Sequence, residues 1–331
     1  MISKTNILVV GGAGYIGSYM CKYLAKHGFV PVVIDNLVYG YQESVRWGPF
    51  YKGSMGDYGL LKKVFSVHHI EAVMHFAAFC YVGESVTKPA QYYENNVSAT
   101  LTLLQTMIDE EVKNFIFSSS CAIYGEPIET PINEEHPKNP INPYGRTKLM
   151  VETILSDFHA AYDLRFASLR YFNAAGADPE GELGEDHNPE THLIPLVLQA
   201  ALTNKRVVNI YGEDYPTKDG TCIRDYIHID DLAQAHFLVL ERLLNGKAGG
   251  QYNLGNGNGH SVKDVIDVAS MVTGKPIPVV YTTRRAGDPS ILISSSRKAI
   301  TKLGWQPRYP NLEKIIETAW FWHKVHPDGY V

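Results

Sequence analysis

Cysteine is scarce in this chain: Cys21, Cys80, Cys121 and Cys222 are all it carries in 331 residues, and no two stand at C-x-x-C spacing. That excludes a disulfide-stapled scaffold and a zinc ribbon, and makes a reduced cytosolic setting the expectation. Positive charge is also short. Lys and Arg number 30 against 35 Asp and Glu, a net charge of −5, which leaves no basic field for nucleic acid. No apolar run reaches the roughly 18 residues that suggest a membrane span. The N-terminus runs straight into a strand pattern, with no apolar leader ahead of a small-residue cleavage site. Neither nucleic acid nor membrane is therefore expected as a partner, and the expected location is cytoplasmic. His68-His69 and His323…His326 read as solvated surface histidines, because nothing else in the sequence assembles a site with them. No metal is expected. No internal repeat or low-complexity segment is visible.

Against these absences stands a run of glycines. Ile7-Leu8-Val9-Val10 is a short β-branched stretch suited to a buried parallel strand, and it opens into Gly11-Gly12-Ala13-Gly14-Tyr15-Ile16-Gly17. Gly11, Gly14 and Gly17 have separate tasks: a tight turn, close approach of the backbone to a pyrophosphate, and close packing of the next helix on the sheet. A helix is expected from Tyr15 to about His27, closed by Gly28. Its first turn, Tyr15 to Gly17, offers N–H groups and the positive dipole end to phosphates. A second strand, Val30 to Ile34, ends at Asp35, roughly 20 residues after the glycine turn, where a carboxylate accepts from the adenosine ribose hydroxyls. The same charge repels a 2′-phosphate, so NAD rather than NADP is the expected cofactor. Asp57 follows a short strand at Phe50-Tyr51-Lys52 and is placed to meet the adenine edge. Ala72 to His75 runs into Phe76-Ala77-Ala78, and Phe115-Ile116-Phe117 runs into Ser118-Ser119-Ser120. Ligands of doubly wound sheets sit at such carboxyl ends, and small residues let a strand end pass close to them.

Asn142 suits an N-cap and Pro143 the first helical position. Tyr144 and Lys148, four residues apart, then share one helical face. A phenol normally titrates at about 10. A neighbouring ammonium favours the phenolate, which is a usable base toward a sugar hydroxyl. Ser120 is expected to share that proton by hydrogen bonding.

With these residues in hand, the chain resembles the extended short-chain dehydrogenase/reductases and, among them, the UDP-glucose (UDP-galactose) 4-epimerase family. The resemblance covers nearly the whole chain. It rests on Gly11 to Ser18, Asp35-Asn36-Leu37, His75 to Ala78, Val82-Gly83-Glu84-Ser85, Tyr92-Tyr93-Glu94-Asn95-Asn96, Phe117 to Ser120, Asn142-Pro143-Tyr144-Gly145, Arg170-Tyr171-Phe172-Asn173, Gly220 to His228, and Arg284-Arg285-Ala286-Gly287-Asp288-Pro289. It implies an isomerase with tightly held NAD. Tyr144 takes the proton from the sugar 4-hydroxyl, hydride leaves C4 for the cofactor, and the 4-keto sugar turns over and takes the hydride back on its other face. Ser120, Tyr144 and Lys148 are then catalytic, with Lys148 also holding the nicotinamide ribose. Asp35, Asn36, Asp57, Tyr58, Phe76, Ala77, Ala78, Asn95 and Phe172 line the cofactor beside the glycine turn.

On the substrate side, Arg224 and Arg285 are forked donors suited to a diphosphate, and Asp288 can accept from ribose or uracil. Asn173 can bond sugar or phosphate oxygens. Leu193 and Tyr211 suggest walls of a uracil slot, and His192 stands where relatives often carry asparagine. Ser120 and Tyr144 meet the sugar itself. Arg284 reads as a surface residue. Relatives often carry a lysine at Cys80. Leu292 stands where strict glucose/galactose enzymes carry a bulky aromatic, which leaves UDP-N-acetylhexosamines open. Tyr81 to Ser85 and Ile141 to Tyr144 also resemble UDP-xylose/UDP-arabinose 4-epimerases. Dehydratases of this fold place an acidic pair after the serine or threonine, whereas Cys121 and Ala122 follow Ser120 here. A sugar dehydrogenase exchanging NAD with solution and a catalytically silent NAD-binding protein are the remaining alternatives.

The expected fold class is α/β: a Rossmann-type doubly wound parallel sheet with a smaller interleaved α/β substrate-binding lobe. Residues 1–173 form the NAD-binding domain, with a returning segment near 225–250, and 174–331 mainly the UDP-sugar-binding lobe. The strand Asp225 to Ile229 is expected to bring the chain back to the cofactor sheet. Gly176 to Glu190 reads as a loop, and Asn311 to His323 as a closing helix with Asn311 as N-cap. Helices from about Tyr92 to Ile108 and from Tyr144 carry long apolar faces. In the family these pair across a two-fold axis, so a homodimer is expected.

Overall fold

The structure, a computed structural model, describes residues 5–203, 206–285 and 288–330. In chain order the strands are β1 (Asn6–Val10), β2 (Val30–Asp35), β3 (Phe50–Lys52), β4 (Ile70–His75), β5 (Asn114–Ser120), β6 (Arg165–Tyr171), β7 (Asn173–Ala175), β8 (Val208–Tyr211), β9 (Ile223–His228), β10 (Gly250–Leu254), β11 (Gly259–Ser261), β12 (Val279–Thr282) and β13 (Ile291–Leu292). The helices are α1 (Tyr15–Lys26), α2 (Tyr58–His68), α3 (Val82–Thr87), α4 (Pro89–Tyr93), α5 (Ala99–Asp109), α6 (Pro143–Tyr162), α7 (Leu193–Thr203), α8 (Ile229–Leu244), α9 (Val262–Thr273), α10 (Arg297–Leu303) and α11 (Leu312–Val325). Two compact units form, each discontinuous in sequence. The first comprises Met1–Gly125, Pro137–Arg170 and Ala233–Tyr252; the second comprises Glu126–His136, Tyr171–Leu232 and Asn253–Val331.

The first unit is built on a seven-stranded sheet of order β10-β6-β5-β4-β1-β2-β3. The order reverses between β1 and β4, the point where doubly wound sheets open a crevice for a ligand. Register makes that crevice usable. Val10 is level with Ile34 on β2 and with His75 on β4, and His75 is level with Phe117 on β5, all in parallel pairs. Gly11, Asp35, Phe76 and Ser118 therefore leave the sheet along one edge. Leu8, Val10, Val32, Ile34, Val73, Phe115 and Phe117 point into a core shared with Leu61 and Phe65 of α2, Leu103 and Met107 of α5, and Val151 and Leu155 of α6. Each such side chain contributes roughly 1.5–3 kcal/mol on burial. As expected, α1 stops at Gly28, whose φ is +85°; Phe29 N–H closes the helix on the Leu24 carbonyl at 3.1 Å.

Three expectations need correction. The strand around Asp225 does not return to the cofactor sheet; β10 does so, beside β6. β9 instead pairs with β7, β11 and β13 in the second unit. The reason is Asp225, fully buried in β9. Its carboxylate needs donors, and the backbone N–H groups of Asn256 (2.8 Å), Gly257 (3.0 Å) and Ser294 (2.9 Å) supply them. The segment Tyr92 to Ile108 is not one α-helix: a π-helical turn at Glu94–Ser98 separates α4 from α5. Third, His323 is buried beside Trp322, with ring centroids 5.0 Å apart, and is not a solvated surface histidine. The closing helix runs to Val325, with Asn311 at its N-cap position as expected but making no side-chain cap bond.

The second unit packs α7, α9 and α11 around Ile194, Val197, Leu198, Ile210, Val265, Ile315 and Ile316. In the first unit, one buried ion pair ties α6 to the sheet. Arg170 donates from Nη2 to Glu152 Oε2 at 2.6 Å and from Nε to Oε1 at 2.9 Å, while Ser119 Oγ donates to Oε1 at 2.7 Å and Arg170 Nη1 reaches Tyr124 Oη at 3.0 Å. Burial disfavours the guanidinium, but the hydrogen bonds and charge of Glu152 outweigh it and raise the Arg170 pKa. Glu152→Ala leaves a buried cation without its partner and is expected to cost about 3–5 kcal/mol in urea unfolding; a cost below about 1 kcal/mol, the range of an exposed pair, would contradict this reading.

Candidate active site

The glycine turn is sterically compulsory at two places. Gly11 sits at φ +82°, and a Cβ there would lie 2.5 Å from Ala77 N; a Cβ on Gly17 would lie 2.1 Å from Gly11 O. Gly14 is different. Its nearest neighbour would be Gly11 O at 3.5 Å, so its side of the turn is open. Gly14 is also the N-cap of α1; no side chain caps that helix and no acid lies in its first turn. The N–H groups of Tyr15, Ile16 and Gly17 thus belong to a helix start suited to an anion.

Asp35 lies buried beside this turn, with Oδ2 accepting from Ala13 N at 3.0 Å and Oδ1 from Leu37 N at 2.8 Å. Burial raises its carboxyl pKa and those two amides pull against the rise. Each carboxylate oxygen can still accept another hydrogen bond, as ribose recognition requires. Phe76 and Ala77 donate their N–H groups to the Val10 carbonyl at 2.8 and 3.1 Å, which folds the end of β4 over the end of β1. The cradle therefore fits a dinucleotide: an open turn, an uncapped helix start and a carboxylate one strand away.

Other expected cofactor residues have local tasks. Asn36 is exposed and accepts from Val38 N at 3.1 Å. Asp57 is exposed and caps α2, accepting from Leu60 N at 3.0 Å. Tyr58 donates to Asp109 Oδ2 at 3.0 Å. Asn95 donates to Asn96 Oδ1 at 2.9 Å. The doublet partner Asn96 was missed in the sequence. It is buried, accepts from Phe79 N at 2.9 Å, and donates to Phe79 O at 3.0 Å and Thr147 Oγ1 at 3.1 Å. It ties the π-helical turn to the segment after β4 and to α6. Two adjacent asparagines inside a helical pattern, where neither favours helix, were the available signal.

At the end of β5, Ser118, Ser119 and Ser120 are all buried. Ser120 Oγ accepts from Ala122 N at 3.2 Å and caps a short 3₁₀ turn at Cys121–Ile123. The start of α6 packs against that turn, because a Cβ on Gly145 would lie 2.5 Å from Ala122 O. As the sequence predicts, Asn142 caps α6, accepting from Gly145 N at 2.8 Å, and Pro143 follows. Lys148 donates from Nζ to Ser118 O at 2.7 Å, and that ammonium stands 5.8 Å from the Tyr144 ring centroid and 4.9 Å from that of Phe117. Burial lowers the Lys148 pKa to about 8, against the pull of Cys80 and Glu152. Burial, then the Lys148 charge, depresses His75 to about 3; its ring, 3.0 Å from Thr100 Oγ1, stays neutral.

Of the residues expected on the substrate side, Ser120 and Tyr144 belong to the first unit and the others to the second. Arg224 on β9 is level with His260 of β11 and with Leu292 of β13. Its Nη2 lies 3.5 Å from Asp288 Oδ1. The Arg285 guanidinium sits 3.8 Å from the Tyr211 ring centroid. Arg284 is partly exposed, 4.1 Å over the Tyr215 ring and bonded to Asp214 at 2.6 Å. Ala286 and Gly287, between these groups in the motif, lie outside the described residues. Asn173 on β7 is level with Tyr226 of β9, and Phe172 is buried, donating to Leu254 O at 3.3 Å. Leu193 opens α7. His192 directs Nδ1 to two carboxylates, Glu185 Oε1 at 2.8 Å and Glu190 Oε1 at 2.9 Å.

The folded protein releases the Lys148 proton at about 8, against 10.5 for the free side chain. Between those values the unfolded chain holds more protons, so stability rises with pH across the window. Urea titrations of the cofactor-free protein and of Lys148→Met should show the wild type gaining relative to the variant from pH 8 to 10.5; a constant difference would contradict it.

The description "NAD dependent epimerase/dehydratase family" belongs to the family model that matches residues 7–255. The UDP-glucose 4-epimerase of Halalkalibacterium halodurans is 54% identical over 324 residues, covering 98% of this chain and 97% of that protein. A crystal structure of a UDP-glucose 4-epimerase superposes with a TM-score of 0.96 at 52% identity, over 99% of this chain and 100% of the other. The UDP-glucose 4-epimerase from Brucella ovis, solved in complex with NAD, superposes with a TM-score of 0.93 at 51% identity, over 96% and 97% of the two chains. A cradle that fits a dinucleotide at the switch point, Tyr144 and Lys148 on α6 with Lys148 bonded to the end of β5, and these relatives together establish that the chain belongs to the NAD dependent epimerase/dehydratase family, within the UDP-glucose 4-epimerases of the extended short-chain dehydrogenase/reductases.

Proposed function

We propose that this chain interconverts UDP-galactose and UDP-glucose by inversion at C4, as an NAD-dependent isomerase. The observation that carries the reading is the buried Lys148 ammonium, held by Ser118 O at 2.7 Å and set beside the Tyr144 ring. Bound NAD supplies the hydride acceptor and donor. The chain's residues do the rest. Tyr144 removes the proton from the 4-hydroxyl as C4 is oxidised and returns it as the new 4-hydroxyl forms. Ser120 Oγ steadies that oxygen by hydrogen bonding. Lys148 keeps positive charge next to the phenol and reaches the nicotinamide ribose. Gly11 to Gly17, Asp35 and the Phe76-Ala77-Ala78 segment bind the dinucleotide, so the first unit is the cofactor domain and the second the UDP-sugar lobe. There Arg224 and Arg285 take the diphosphate, Asp288, Leu193 and Tyr211 the uridine, and Asn173 the sugar or phosphate oxygens. The absence of an acid at Cys121 and Ala122 disfavours loss of a hydroxyl.

A second reading, that UDP-N-acetylhexosamines are also accepted, is supported by Leu292, which stands directly across from Arg224 in the β13–β9 register and is smaller than an aromatic. Incubation without added NAD, with C4 inversion followed by proton NMR, separates the sugars: UDP-galactose is expected to invert with no net NADH, and failure to invert even with NAD supplied would sink the reading. Tyr144→Phe is expected to lower turnover by roughly 10²–10⁴-fold while retaining NAD; undiminished turnover would remove Tyr144 from the acid–base role.

A cytoplasmic setting is supported by the four free cysteines, and no helix of the described residues is long and apolar enough to cross a membrane. A C₂ homodimer through α5 and α6 is supported by Leu101 and Met150, which stay 39% and 43% exposed on those helices. Light scattering should give twice the chain mass, and Leu101→Glu with Met150→Glu should halve it; a monomeric wild type would rule the dimer out.

A further inference from the structure

In the second unit, the segment between β7 and α7 gathers four side chains that the reaction does not use in common: Glu185, His187, Glu190 and His192. We propose that they form a closed binding site for one divalent transition-metal cation, zinc by the chemistry of the donors. One ligand atom from each residue lies within 4.8 Å of every other. The Nδ1 atom of His187 is 3.1 Å from Glu185 Oε1 and 3.8 Å from Glu190 Oε2; Nδ1 of His192 is 2.8 Å from Glu185 Oε1 and 2.9 Å from Glu190 Oε1. Four ligands about 2.0 Å from a tetrahedral ion stand roughly 3.3 Å apart, and the separations to Glu185 Oε1 (2.8 and 3.1 Å) and to Glu190 Oε2 (3.8 Å) bracket that value. The two imidazole rings are tilted by 50° with centroids 5.1 Å apart, so they converge rather than stack.

Glu190 carries the argument beyond a cluster of charges. Its Oε1 accepts the backbone N–H groups of Thr191 at 2.7 Å and His192 at 2.8 Å, which fix the carboxylate plane. Its Oε2 is buried and accepts no hydrogen bond, although the side chain is only 3% exposed and Glu185 only 6%. A carboxylate anchored through one oxygen, with the other 3.8 Å from His187 Nδ1 and without a hydrogen bond, is arranged as a metal ligand with its supporting shell. A dication neutralises both carboxylates and satisfies that oxygen, which otherwise stays buried without a hydrogen bond. Two imidazoles and two carboxylates suit zinc, with no position left for substrate, which makes the site structural. It closes an irregular segment also held to Tyr330, where Gly184 N–H donates to Tyr330 Oη at 3.0 Å and Asp186 Oδ2 accepts from Tyr330 N at 3.1 Å. It thereby fixes the start of α7. This inference stands apart from the UDP-sugar reading, since it needs neither cofactor nor substrate.

The test uses the full chain purified without chelator. Elemental analysis should find close to one zinc equivalent per chain. Removal with a strong chelator should lower the thermal midpoint, and added Zn²⁺ should restore it. Co²⁺ loaded in its place should give the intense visible bands of a tetrahedral site. Glu190→Gln and His187→Asn should weaken metal binding by at least roughly 10–100-fold, the cost of losing even an outer-shell partner, while NAD stays bound. A wild-type chain that holds no metal and shows neither a midpoint shift nor visible bands with Zn²⁺, Mn²⁺ or Co²⁺ would overturn the proposal, as would a Glu190→Gln chain binding metal like the wild type. If a variant fails to fold, chelation, reconstitution and the Co²⁺ spectrum of the wild type decide alone.

Discussion

One short hydrogen bond, from the Lys148 ammonium to the Ser118 carbonyl at 2.7 Å, fixes α6 against the end of β5. The side chains proposed to react depend on it. Tyr144 lies one helical turn before Lys148, and Ser120 lies two residues beyond Ser118, so the bond determines how the phenol and the strand-end hydroxyls stand together. An ammonium is costly to bury. It is tolerated because a carbonyl accepts from it and because Glu152, one turn further along α6, places a carboxylate in the same region. Glu152 is in turn held by Arg170 and Ser119. Charge, helix position and strand end are thereby one connected arrangement in the first unit.

The same arrangement dictates which neighbours can carry charge. His75 ends β4, level with Phe117 of β5. Burial and the Lys148 ammonium keep it neutral, so positive charge near the phenol resides on the lysine. On the cofactor side, the turn is determined by collisions: Gly11 and Gly17 have no room for a Cβ, while Gly14 leaves the start of α1 open. An uncapped helix start is ordinarily a cost; here no side chain caps α1, which suits the proposed phosphate site.

The second unit follows a different rule, in which carboxylates organise backbone. Asp225 inside β9 collects three N–H groups from flanking segments, and Asp231 accepts from Tyr309 N at 2.9 Å as well as from Arg308 N at 2.5 Å. Such a buried acid gives β9 polar partners that an apolar parallel sheet does not offer, which is why a strand-like run in the sequence belongs to the smaller sheet. Glu190 does the same at the start of α7, gathering two backbone N–H groups on one oxygen.

Much was legible in the sequence because it rests on local physics. The β1–turn–α1 unit, the Gly28 stop, the Asn142 cap and the shared face of Tyr144 and Lys148 follow from glycine sterics, capping chemistry and helical period, all set within a few residues. Tertiary structure alone decided the rest. Whether Asp225 lay in the cofactor sheet turned on donors contributed from Asn256, Gly257 and Ser294. The π-helical turn at Glu94–Ser98 turned on Asn96 finding Phe79 and Thr147 across the fold. The grouping of Glu185, His187, Glu190 and His192 needed an irregular segment to fold back on itself, and no periodicity announces that. Sequence determines what a residue can bond to; which partners arrive depends on where distant backbone runs, because buried polar groups take whatever donors and acceptors the assembled fold brings within reach.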